Sequence, residues 1–258
     1  MNKLSPVQAT ITPRIDIIFT SLVSIALFLI ICSVAVNASI AYEFIENEKT
    51  SNKLKQFFDL NKEYNLPTVF SFLLLLSSSL LVYIVSRLHK AKGSLDAFLW
   101  GLLSFIFFCL AFDEILMIHE RVASIFGKTI DVTSSTRYFL WVIPYSIPLL
   151  YLAYRFFPFL FRLPYRHRRN FILAASLYVG GGYFIEILGG WHQAVYGNGF
   201  IHSLIYTLEE GLEMMGLIFF IKSLFLYWKT EIGNANLTFL VASTSDEQPL
   251  SKDRELVS

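Results

Sequence analysis

Charged side chains are scarce in this sequence. Only 16% of its 258 residues are Asp, Glu, Lys or Arg, against about 25% in soluble domains. That deficit excludes an intrinsically disordered chain. Cysteine is equally sparse: Cys32 and Cys109 both fall in apolar runs, where a thiol acts as a small hydrophobe, so a disulfide scaffold is excluded. Neither sign of charge dominates. With 21 Lys and Arg against 20 Asp and Glu, the net charge of +1 lacks the basic footprint of a nucleic-acid binder. No glycine-rich loop opens a strand-turn-helix unit, which removes nucleotide cradles of that kind.

Apolar residues are what the sequence has in quantity. They make up 55% of it, with 25 Phe among them and a mean hydropathy of +0.54. A membrane-spanning helix needs about 20 mostly apolar residues. Six stretches qualify, at 15–38, 66–86, 96–117, 138–154, 171–190 and 203–228. The fold expected is therefore all-α, a polytopic integral membrane protein of six transmembrane helices. The first stretch is too long and too weakly basic in front for a cleaved signal peptide. Pro144 and Pro148 should bend or break the fourth. Residues 229–258, rich in Ser, Thr, Asn, Asp and Glu, read as a disordered tail.

Orientation follows from the basic residues, which are retained on the cytoplasmic side. The connections 87–95 and 155–170 hold eight Lys or Arg in 25 positions, and 118–137 and 191–202 hold three in 32. The first two are expected to be cytoplasmic, as are the N and C termini, in a bacterial inner (plasma) membrane. The external segment 39–65 contains Leu54, Phe57, Phe58 and Leu60 among Lys53, Lys55 and Lys62, a pattern for a short helix lying on the surface. Trp100, Trp141, Trp191 and Trp228 are expected in interfacial belts.

With this topology the intramembrane acids gather on one side. At 1.5 Å per residue, Asp113 and Glu114 lie roughly 25 Å along the third span, near its outer end, followed by His119 and Glu120. Glu186 reaches a similar level on the fifth span, with Gly189-Gly190 expected to end that helix and His192 just beyond. On the sixth, His202, Tyr206, Glu209, Glu210 and Glu213 follow offsets of 0, 4, 7, 8 and 11, one continuous stripe. Each carboxylate facing lipid would cost about 2.5–3.5 kcal/mol near the bilayer centre, so the stripe should face inward. Lys222 is the only basic residue within these three spans and lies roughly 13 Å beyond Glu213.

Protons or metal ions are left to balance these acids. The sequence expectation is a metal site of Asp113, Glu114, His119, Glu186, His192, His202, Glu209 and Glu213, holding one or two ions of Mn, Fe or Zn. Glu120 or Glu210 would serve as base and Tyr206 as proton or electron donor, acting on a lipid or other amphiphile from the bilayer. The class would be hydrolase or oxidoreductase. The spacing matches neither the Glu-x-x-His pairs of di-iron bundles nor His-Glu-x-x-His. Two other classes fit the same residues: a cation or proton transporter, and an accessory subunit with partners in a membrane complex. Gly180-Gly181-Gly182 and Gly211 read as close helix contacts.

Overall fold

A computed structural model of the chain describes residues 15–45, 47–118, 121–122 and 142–232. They form helices α1 (Ile15–Ala41), α2 (Glu48–Phe58), α3 (Leu66–Ala91), α4 (Ala97–Leu116), α5 (Val142–Arg162), α6 (Tyr165–Val179), α7 (Glu186–Tyr196) and α8 (Phe200–Tyr227). A π-helical stretch, Gly180–Ile185, joins α6 to α7, and another, Trp228–Ile232, continues α8. No strand occurs among the described residues.

Five of these segments are long and apolar enough to cross a membrane: Ile15–Ala41, Leu66–Ala91, Ala97–Leu116, Tyr165–Tyr196 and Phe200–Glu231. The expected fourth span, 138–154, starts outside the described residues and continues as α5, which is not among the five. α5 carries Arg155 in its interior and runs through Pro148 and Pro158 without ending. The expected break is thus absent, in line with the tolerance of apolar helices for proline where neighbouring groups satisfy the freed backbone.

Local signals explain most helix ends. α2 starts at Asn47, whose side chain accepts from the Thr50 amide at 3.2 Å. α3 starts at Asn65, which accepts from the Thr68 amide at 3.0 Å, with Pro67 in the first turn where its missing N–H costs nothing. α4 ends where Met117 turns left-handed, at φ 52°. The amphipathic helix expected over the loop 39–65 is α2. It contributes one residue, Ser51, to the buried interior.

α8 is the central helix, packed against α1, α3, α6 and the first π stretch, and α4 pairs with α3. Small residues allow these approaches. Ser79 and Ser104 each donate to the other's carbonyl at 2.9 Å across α3 and α4. Gly211 lies against Ile30, to which a Cβ would stand at 3.1 Å. At the end of the bundle near the α5–α6 turn, Trp100 is packed by Phe159, Phe171, Tyr227 and His89 and is 1% exposed, so it is a core residue and not part of an interfacial belt. His89 shares a 3.0 Å hydrogen bond with Tyr227 there, and His167 shares one of 2.8 Å with Thr230.

At the opposite end, near the α7–α8 turn, a polar network ties α2 to the bundle. Asn37 donates to Asp59 at 3.0 Å, Asn65 donates to the Asp59 carbonyl at 2.7 Å, and the Leu60 amide donates to Ser33. Ser33 in turn shares a 3.4 Å hydrogen bond with Thr207 of α8.

Candidate functional site

The stripe expected on the last span exists as one face of α8. His202 and Glu209 are buried, at 3% and 6% exposure, and Tyr206, Glu210 and Glu213 are partly covered. The cover comes from the π stretch and α7. A Cβ on Gly182 would collide with the Glu213 carboxylate, and one on Gly181 would stand 2.7 Å from the Glu209 carbonyl and 3.1 Å from Glu213 Cγ. Further along, the Cβ of an alanine at 189 would stand 3.9 Å from the Tyr206 ring and 4.0 Å from Glu209 Oε2. Of the three consecutive glycines expected to allow close approach, Gly181 and Gly182 do so, and what approaches is the acidic face itself, whereas Gly180 faces open space.

Gly189-Gly190 was expected to end the fifth span, but the helix continues to Tyr196 and ends at Gly197, with φ 76°. Both glycines are buried, and the smallness of Gly189 serves packing against Ile205 and Tyr206 of α8. His192 accordingly sits on α7, not in a loop. Its ring stacks on that of His202, with centroids 6.1 Å apart and planes 11° off parallel, and Tyr206 meets His202 edge-on at 4.6 Å.

The acids of three helices lie within electrostatic reach of one another. Glu114 of α4 and Glu186 of α7 both lie within charge–charge reach of Glu210 and Glu213. Glu209 and Asp113 also act on Glu213. Tyr178 of α6 lies in the same field, facing Glu213, Glu114, Asp113 and Glu210. A phenol among apolar residues gives no sequence signal of such a role, and Tyr178 stands eight residues before Glu186 across the π stretch. Lys222 does not join the acids: its Nζ lies 3.8 Å from the centre of the Phe19 ring on α1.

Three buried polar atoms here have no hydrogen-bond partner: Oε2 of Glu209 and Nδ1 of His192 and of His202. Yet among the described residues no group of three or more His, Cys, Asp or Glu is placed to hold a metal ion. The expected ligand set is therefore not assembled there. Its geometry gives the reason, since seven residues of helix separate His202 from Glu209, about 10 Å along the axis. Imidazoles and carboxylates share a face without sharing a point. His119 and Glu120, expected as ligand and base, lie outside the described residues.

Above the stripe opens a cavity of about 350 Å³, lined by residues of α1, α2, the turn before α3, α7 and the start of α8, His202 among them. At its other end the stripe is closed by Met214, Leu217, Ile218 and Ile221, all buried. This cavity gives the site a mouth.

Residues 19–228 match the family described as a domain of unknown function, DUF8692, and the chain belongs to that family. No curated protein and no solved structure shows detectable similarity to it.

Proposed function

We propose that the protein is an integral membrane protein of six spans with both termini cytoplasmic, seated in a bacterial inner membrane, and that its acid–imidazole site performs proton transfer on an amphiphile such as a lipid. The observation that carries this reading is the position of His202. It lines a cavity that meets the stripe, touches Tyr206, and stands above a buried glutamate with an unpaired oxygen. The distribution of basic residues turns that mouth outward.

Imidazole, phenol and carboxyl groups in sequence down one helix face are the groups that give and take protons at a reacting centre. Protons shared among the carboxylates would balance their charge, because Lys222 is engaged elsewhere. The apolar plug from Met214 to Ile221 supports a one-sided site over a transmembrane route, and so an enzyme over a cation or proton transporter. Tyr206, Glu209 and Glu210 are the proposed proton-handling residues.

The second reading is a metal-dependent enzyme using Mn, Fe or Zn, favoured by the three unpaired donor atoms. Such a centre needs a further donor, for which His119 and Glu120 are the sequence candidates.

Elemental analysis of protein purified without chelator separates the two. The proton reading expects no stoichiometric metal and a melting temperature indifferent to Mn, Fe, Zn and chelator. A bound metal lost on Glu209→Gln with Glu213→Gln would replace it by the second. Cation or proton flux into vesicles that requires the protein would replace both by transport.

A further inference from the structure

The cavity above the stripe has features that the acids below do not explain. Lys55 and Lys62 line it, with Asn37, Asn61, Gln193, Asn198 and Ser203. Its floor is the start of α8, a helix of 28 residues whose N-cap is Gly199 and which receives no side-chain cap. The first backbone N–H groups of a helix have no intrahelical acceptor and favour an anion. Beside them stands His202, 97% buried, with Nδ1 unpartnered. The one acid on the wall, Asp59, already accepts from the Asn37 side chain at 3.0 Å and the Asn61 amide at 3.2 Å.

From these we infer that the cavity binds a phosphate group, held by Lys55, Lys62, His202 and the amino end of α8. This deepens the proposed function, on which it rests, by naming the headgroup of the amphiphile. A volume of about 350 Å³ equals that of roughly twelve waters, which suits a glycerophosphate headgroup and not a whole lipid. The acyl chains would then lie outside, against the apolar flank of the bundle. The negative headgroup and the negative stripe are kept apart by the imidazole layer of His192 and His202.

The same chemistry is offered by a free phosphate ester or by a lipid, and two titrations of the full-length protein in neutral detergent tell them apart. In one, glycerol 3-phosphate is added and the melting temperature followed. In the other, phosphatidylglycerol or diacylglycerol is mixed into the micelles. A saturable rise with phosphatidylglycerol but not diacylglycerol assigns the lipid headgroup, and a rise with glycerol 3-phosphate alone assigns a soluble ester. In either case Lys55→Gln with Lys62→Gln should weaken binding at least about tenfold, the worth of a charge-assisted contact. His202→Gln should weaken it too. Lys55→Arg with Lys62→Arg should retain it, and Lys53→Gln, outside the cavity, should leave it unchanged. No saturable response to either phosphate compound, an equal response to diacylglycerol, or full binding by the double glutamine variant overturns the proposal. Because the readout is binding, it can fail while proton transfer through Glu209 stands, and the reverse.

Discussion

Replacing Gly181 by alanine should loosen the contact between the π stretch and α8, and the structure gives the size of the effect. The added Cβ would stand 2.7 Å from the Glu209 carbonyl oxygen and 3.1 Å from both Leu212 Cβ and Glu213 Cγ. Real Cβ atoms do not approach a backbone oxygen so closely, and that oxygen belongs to a helix that cannot rotate away alone. Separating the helices by a few tenths of an ångström loses dispersion along the whole seam. Overpacking of this kind costs about 1–3 kcal/mol. Alanine recovers up to about 1 kcal/mol of helix propensity, so the net loss should be about 1–2 kcal/mol. Gly180 supplies the control, because a Cβ there meets nothing within 4 Å. Gly180→Ala should be neutral or stabilising by up to about 1 kcal/mol. Reversible unfolding in mixed micelles, monitored by helical circular dichroism, compares the two. Equal stability of Gly181→Ala and Gly180→Ala would refute the close seam and with it the covering of Glu213.

Gly216→Ala should behave like Gly181→Ala, since its Cβ would stand 2.7 Å from the Tyr178 amide nitrogen; the same unfolding assay checks this. Trp100→Ala should cost about 3–5 kcal/mol by opening a cavity among Phe159, Phe171 and Tyr227, measurable as a lower midpoint of unfolding. Ser79→Ala with Ser104→Ala removes two reciprocal hydrogen bonds and should cost about 1 kcal/mol in all, at the modest value such bonds have within membranes. A cysteine at Gly197 should react with an impermeant thiol reagent added outside intact cells, and one at Arg166 should not.

Much of this architecture was legible because lipid makes strong demands. Long apolar runs located α1, α3, α4 and α8 closely, and the mixed pattern of Lys53 to Lys62 located the surface helix α2. The stripe from His202 to Glu213 followed from helical periodicity alone. Three things were hidden. Gly189-Gly190 looked like a helix end because glycine is a poor helix former, but contact of Gly189 with Ile205 and Tyr206 outweighs propensity there. The π stretch changes the angular register between Tyr178 and Glu186, which a constant 100° per residue cannot represent. The cavity joins Lys55, Gln193 and His202 from three distant segments, and no local pattern announces such a meeting. Metal ligation rested on residue type and a shared helix face, and a face shared over about 10 Å of axis does not bring His202 and Glu209 to one point.

The central position of α8 has a consequence for how the protein is made. It is the last described helix in chain order, yet α1, α3 and α6 all pack on it. During synthesis those helices are in the bilayer before it, with Ser33 and Gly181 facing a slot that nothing yet fills. α8 carries three glutamates, and each raises the cost of leaving the translocon by about 2.5–3.5 kcal/mol near the bilayer centre. A helix so burdened enters the membrane most readily when a shaped and partly polar berth is waiting. The earlier helices supply that berth, and the hydrogen bond between Ser33 and Thr207 forms only once α8 is in place.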